Sequence, residues 1–201
     1  AIVIAVTNKD AGKRGMSAFI VPTHNMGNSG WQVARLEDKL GQHSTDTAQI
    51  NLVDCRIPAE NRIGEEGEGY KIALSGLEGG RIGIASQSVG MARSALDVAL
   101  AYAKERQSFG TAIYNHQAVG FRLADAATRL EAARQLIWHA ASMKDAGRPC
   151  LKEAAMAKLF ASETAEYVCT TAIQTLGGYG YVSDFPVERI YRDVRVSQIY
   201  E

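Results

Sequence analysis

The sequence predicts an α+β protein: a partial antiparallel β domain over residues 1–64, then an antiparallel four-helix bundle over residues 65–201. Three observations predict it. Residues 1–58 carry short β-branched runs separated by turn residues. From Gly69 onward, apolar residues recur every three or four positions over stretches far longer than a strand. Gly147 with Pro149, and Gly177-Gly178, punctuate those stretches where helices should end.

In chain order, Ile2-Val3-Ile4-Ala5-Val6 is a β-branched run closed by the turn-rich stretch Asn8–Gly15. Ser17–Val21 follows and stops at Pro22, which predicts a hairpin. Trp31–Leu36 and Thr47–Val53 are two further strands; in the second, Ala48, Ile50 and Leu52 alternate with Gln49 and Asn51. With no helix between them, these strands are expected to form an antiparallel sheet. Asn61–Gly69, rich in Gly and Glu, marks the boundary. Tyr70, Leu74, Leu77, Arg81, Ile84, Ser88, Ala92, Ala95, Ala99 and Ala103 then line one face of a first long helix. Val119, Leu123, Ala126, Leu130, Ala133, Ile137 and Ala140 mark a second. A third runs from about Leu151 to Leu176, and a fourth begins near Pro186 and carries Arg192 and Asp193. Helices of about 25–35 residues are about 40–50 Å long, too long for a compact mixed sheet, and short connections make them a bundle. No internal repeat or low-complexity stretch interrupts this pattern.

Composition narrows the function. The chain has 201 residues, 22 Lys plus Arg against 22 Asp plus Glu, and 46% hydrophobic residues. These fractions exclude intrinsic disorder, and zero formal net charge argues against a nucleic-acid binder. No apolar run approaches the roughly 18–20 residues of a membrane span. Cys55, Cys150 and Cys169 lie far apart, which excludes a disulfide framework or a CxxC zinc site and suits a reducing compartment. Each reads as a small buried hydrophobe. The chain opens on Ala1 and stops at Glu201 directly after a periodic segment, and reads as a piece of a longer protein.

Most familiar catalytic templates are absent. His24, His43, His116 and His139 lack metal-ligand spacing, so no metal site is expected. There is no P-loop, no GxSxG, and no GxGxxG between a strand and a helix. Leu176-Gly177-Gly178-Tyr179-Gly180 follows a helix, and reads either as a C-cap with its turn or as a close backbone approach to a flat or phosphorylated ligand. Arg106, at the end of the first long helix, is either a solvated charge offsetting the helix dipole or a fork for pyrophosphate. Arg81 sits on an apolar row after Gly79-Gly80 and needs a partner, for which Glu78 offers only a surface pair. The two glycines indicate that something bulky passes close to the backbone.

Glu105-Arg106-Gln107-Ser108-Phe109-Gly110, then His116-Gln117, Gln174–Gly180, Tyr191-Arg192-Asp193 and Ile199-Tyr200-Glu201 together resemble the acyl-CoA dehydrogenase family. Asp54–Pro58 and Gly64–Tyr70 fit the same pattern, in order, over essentially the whole chain. The family's amino-terminal helical domain and the first half of its β domain have no counterpart in the sequence. The resemblance implies an FAD-dependent flavoenzyme of the short-, medium- or branched-chain type. Such an enzyme oxidises an acyl-CoA thioester to the trans-2-enoyl-CoA. A carboxylate removes the α-proton while the β-hydrogen leaves as hydride to flavin N5. The matching base is Glu201, and a dry apolar pocket would raise its affinity for a proton. Hydrogen bonds to the thioester oxygen, from the base's own backbone N–H and a flavin hydroxyl, acidify the α-proton.

By the same resemblance Arg81 binds substrate. Arg106, Ser108, Phe109, Gln117, Gln174, Leu176, Gly177 and Gly178 bind FAD, reaching the nucleotide of a neighbouring subunit. Isovaleryl and long-chain relatives carry their base at the position of Gly80, a subtype from which this sequence departs. Implied partners are acyl-CoA, electron-transfer flavoprotein as acceptor, and further copies of the chain in a dimer or tetramer. The implied compartment is the bacterial cytoplasm or the mitochondrial matrix. The chain by itself is expected to be inactive, because strands that hold the flavin ring are missing. Two other readings are an acyl-CoA oxidase-like flavoenzyme and a non-catalytic helical assembly module.

Overall fold

A computed structural model describes residues 1–23 and 30–201; His24, one of the histidines considered above, lies outside the described residues. The chain divides into two compact units: residues 1–39 with 43–77, and residues 40–42 with 78–201.

In the first unit, β1 (Ile2–Val6) pairs antiparallel with β2 (Met16–Ile20) in the register Ile2↔Ile20 to Val6↔Met16. This is the expected hairpin. β3 (Trp31–Leu36) and β4 (Ala48–Leu52) also pair antiparallel, but as a separate two-stranded sheet with a register shift between Val33 and Arg35. The free edge of β2 is taken instead by β5 (Arg62–Ile63), giving the order β1-β2-β5. One shared sheet is therefore corrected to two. A two-residue strand carries no periodicity by which sequence could reveal it.

α1 (Gly69–Glu105) starts against β2, where a Cβ on Gly69 would lie 2.7 Å from the Ser17 backbone. Its opening turns thus pack with the sheet. The compact units divide at 77/78, inside α1, whereas the boundary expected from composition lay at 64/65.

The second unit holds the rest of α1, α2 (Gln117–Asp145), α3 (Leu151–Leu176) and the short α4 (Val187–Val194). Glu78, early in α1, meets Lys144 near the end of α2 and Cys150 just before α3. At the other end, Tyr102 meets Tyr179 and Phe185, which follow α3. α1 therefore runs opposite to α2 and alongside α3. The core is built largely from alanine: Ala85, Ala92, Ala95, Ala99 and Ala103 of α1 share one buried cluster with Ala126, Ala133 and Ala140 of α2 and Ala157, Ala161 and Ala165 of α3. Leu123, Val168, Val187 and Val194 fill the gaps and are at most 1% exposed. Alanine has high helix propensity and a small side chain, so the same residues that favour the helices let their backbones come close.

Two consequences can be measured. Leu123→Ala leaves a void in this core and should destabilise the chain by about 2–5 kcal/mol in urea unfolding followed by circular dichroism. Cys169 is buried, and burial with the nearby Glu166 carboxylate pushes its thiol from the usual 9.0 up to about 12. Between those values the unfolded chain releases a proton that the folded chain keeps, so folding loses stability as pH rises. The stability difference between wild type and Cys169→Ala should therefore shift against wild type from pH 9 to pH 12 and stay flat below pH 8. A difference that does not change with pH would contradict it.

Candidate active site

α4 buries Val187, Ile190 and Val194 and leaves Glu188, Arg192 and Asp193 partly covered. A 3-10 turn, Arg195–Gln198, continues it and buries Ser197, whose hydroxyl donates to the Val194 carbonyl at 2.7 Å. Two polar ties hold this turn to α3: Arg195 to Glu166 at 3.2 Å, and Gln198 Nε2 to the Ser162 carbonyl at 3.3 Å. The Tyr200 hydroxyl then donates to Gln87 Oε1 of α1 at 3.0 Å. Burial, followed by the neighbouring Glu201 carboxylate, raises the pKa of that phenol.

This path delivers Glu201 to the surface of α1. Its backbone is left-handed, with φ 64°. Its carboxylate lies directly on Gly80: a Cβ there would sit 2.5 Å from Oε1 and 2.7 Å from Oε2. A side chain at position 80 would displace the carboxylate from this place. Gly79, by contrast, could carry a methyl group at ordinary contact distance, 3.6 Å from Lys144 Cε.

Arg81 Nε donates to the backbone carbonyl of Glu201 at 3.3 Å. The surface pair with Glu78 does not form. Glu78 turns to other helices, 3.8 Å from Lys144 Nζ and accepting from the Cys150 thiol at 3.2 Å. Burial and this carboxylate raise the Cys150 pKa.

A second cluster lies at the far end of α1, roughly 38 Å along the helix axis at 1.5 Å per residue. Arg106, Leu176 and Gly178 line a cleft of about 440 Å³ with Tyr102, Tyr179, Val182 and Asp184. Tyr102, Tyr179 and Phe185 pack edge-on or tilted at centroid distances of 5.4–6.3 Å, forming an aromatic wall. Gly177 caps α3 with φ 60°, and a Cβ on Gly178 would meet nothing within 4 Å, so the backbone there is open to a ligand. Among the described residues no carboxylate pairs with the Arg106 guanidinium.

Ser108 and Phe109 belong to a tight hairpin, β6 (Gln107–Ser108) with β7 (Thr111–Ala112). Phe109 and Gly110 both have positive φ, 50° and 79°, the signature of a type I′ turn. The Phe109 ring is 97% exposed at the tip. His116 braces the hairpin, its Nε2 3.2 Å from the Ser108 carbonyl and its ring edge-on to Phe109. Gln117, next in sequence, opens α2 and is exposed. Gln174 faces elsewhere, into a cleft of about 580 Å³ with Ile173, Tyr181, Glu188, Tyr191 and Arg192.

The structure thus joins Glu201, Arg81 and Gly80 in one place and Arg106, Leu176 and Gly178 in another. It keeps Gln174 apart from Gly178. Gln87 and the aromatic wall are additions that sequence reading missed. Gln87 lies seven positions, two turns, after Gly80 and so on the same face, which is the signal that could have found it. Among the described residues no cluster of His, Cys, Asp or Glu could hold a metal ion, and no helix is long and apolar enough to cross a membrane.

The chain is similar to known proteins. Residues 67–201 match the family model for the acyl-CoA dehydrogenase C-terminal domain. The rat protein "Short-chain specific acyl-CoA dehydrogenase, mitochondrial" is 49% identical over all of this chain and 48% of its own length. An Acetobacterium woodii protein named as a subunit of a caffeyl-CoA reductase-Etf complex is 46% identical over all of this chain and 52% of its own. Butyryl-CoA dehydrogenase from Megasphaera elsdenii superposes with a TM-score of 0.94 at 44% identity, over 99% of this chain and 51% of that one. The chain spans about half the length of the curated relatives it matches. With a family model covering most of its residues and relatives near half identity along its whole length, the chain belongs to the acyl-CoA dehydrogenase family.

Proposed function

We propose that this chain is the carboxy-terminal part of an enzyme that oxidises a short or medium acyl-CoA to the trans-2-enoyl-CoA, with Glu201 as the base. One observation carries the reading: the Glu201 carboxylate occupies the space above Gly80 that any side chain would fill. Of the interior glycines of α1, Gly80 is the one that lies against a carboxylate, while Gly76, Gly83 and Gly90 face open space.

From there a Glu201 oxygen takes the α-proton of the thioester. Arg81, bonded to the Glu201 carbonyl, holds the backbone whose own N–H is available to the thioester oxygen as charge develops there. FAD, when bound, supplies the acceptor for the β-hydrogen. The residues of the second cluster fit its phosphates: an Arg106 guanidinium without a carboxylate partner among the described residues, and a Gly178 backbone with open space above it. Because that cluster lies at the opposite end of α1 from Glu201, it suits the nucleotide of a neighbouring subunit. The exposed Phe109 ring at the hairpin tip extends the same surface.

Two features of the relatives bear on direction and partner. The name of the Acetobacterium protein puts a reductase with Etf, and by microscopic reversibility the carboxylate that takes the α-proton returns it when the reaction runs in reverse. Electron-transfer flavoprotein is accordingly the proposed redox partner of the whole enzyme, and the reverse reaction the second reading. Anaerobic mixing of the oxidised enzyme with a saturated acyl-CoA, and of dithionite-reduced enzyme with an unsaturated one, compares the two directions: the first bleaches flavin and the second restores its colour.

In the intact enzyme, Glu201→Gln should slow anaerobic flavin reduction by about 10²–10⁴-fold while acyl-CoA still binds. Near-normal bleaching would eliminate Glu201 as base. Arg106→Ala should lower flavin content at purification and weaken the oligomer, since a ligand shared between subunits stabilises the assembled state by mass action. Sedimentation with and without added FAD reads both effects, and full flavin content would overturn the assignment.

A further inference from the structure

The turn between β3 and β4 contributes three residues, Leu40 to Gln42, to the helical unit. There they clamp α4. The Gln42 backbone N–H donates to Asp193 Oδ1 at 2.6 Å, and its Nε2 donates to the Asp193 carbonyl at 3.3 Å. Arg192 Nη1 donates to the Leu40 carbonyl at 3.0 Å, while its Nη2 lies 2.8 Å from Glu188. Gly41 approaches so closely that a Cβ would lie 2.6 Å from the Arg192 carbonyl oxygen.

Gln42 is left-handed, with φ 54°, a conformation that a residue with a Cβ keeps only where its surroundings over-determine it. The side chain held in this way reaches two helices. Besides Asp193 of α4, Gln42 Nε2 lies 3.7 Å from Met91 Sδ of α1. These two helices define the place of Glu201: α1 presents Gly80 beneath the carboxylate, and the chain leaving α4 ends its 3-10 turn three residues before Glu201. Any drift of α4 along α1 would move the carboxylate over Gly80.

We propose that Gln42 is a positioning residue for Glu201, pegging α4 to α1 so that the base stays in register with its glycine seat. The proposal rests on Glu201 as the base. Gln42 touches no reacting atom and acts through Asp193 and the segment beyond it.

The test uses the full-length holoenzyme carrying Gln42→Gly. Glycine accepts positive φ and keeps the backbone N–H that Asp193 accepts from, so the variant keeps its turn and loses only the side-chain peg. Flavin reduction should slow by about 10- to 100-fold with acyl-CoA affinity changed less than about twofold, the pattern of a misplaced group. Hydrogen exchange should rise in the peptide covering residues 195–201 and stay unchanged in α2 and α3. In the Glu201→Gln background, Gln42→Gly should cause no further loss, because the group it positions is gone. A reduction rate within twofold of wild type, or the same fractional loss in both backgrounds, would overturn the proposal. A Glu201→Gln enzyme that still reduces flavin normally would instead overturn the assignment of the base, and the positioning role with it.

Discussion

The helical unit depends on a shared core of small side chains, drawn from α1, α2 and α3. On α1 these are the buried alanines from Ala85 to Ala103, and Gly80 stands where a carboxylate takes the place of a helix. A bundle with leucine at those alanine positions would separate its helices by the extra methylene groups. The turns that end at Tyr102 and at Glu78 would then no longer reach Tyr179 and Lys144. Van der Waals contact does this work along α1 and α2, where the ion pairs Arg93–Asp97 and Arg129–Asp125 lie between half-exposed side chains and contribute little.

The segment from α4 to Glu201 shows the same division of labour. Val187 and Val194 are fully buried and fix where α4 lies. Polar bonds from Arg195, Gln198 and Tyr200 then fix how the chain leaves it. A carboxylate at the end of an irregular segment keeps its place only if each preceding residue has a partner. Here Ser197, Gln198 and Tyr200 each have one.

Much of this was legible in the sequence, for identifiable reasons. The three long helices follow from periodicity and from Gly147, Pro149 and Gly177, and Leu151–Leu176 matches its expected span. The strands Trp31–Leu36 and Ala48–Leu52 were legible, but their separation into a second sheet was not, since the two-residue β5 that takes the edge of β2 leaves no period-two trace. Counting along a helix offered Glu78 to Arg81 because it sees only neighbours on the same helix. In three dimensions Glu78 finds α2 and α3, and Arg81 finds the Glu201 backbone. Gln174 and Gly178 are four apart in sequence yet face different clefts, because the left-handed Gly177 turns the chain between them.

The hairpin tip at Phe109 has a consequence for protein engineering. A phenylalanine at φ 50° costs about 1–2 kcal/mol relative to a residue that tolerates the left-handed region, and with 97% of its surface in water it recovers nothing from burial in this chain. A stability-guided redesign working on one subunit alone would replace it with asparagine or glycine and score the change as an improvement. The ring's value, if it lies in contact with a second subunit's ligand, is invisible to such a calculation. On the FAD site proposed above, thermostabilisation of this protein has to be computed on the assembled, flavin-loaded oligomer, or position 109 has to be held fixed.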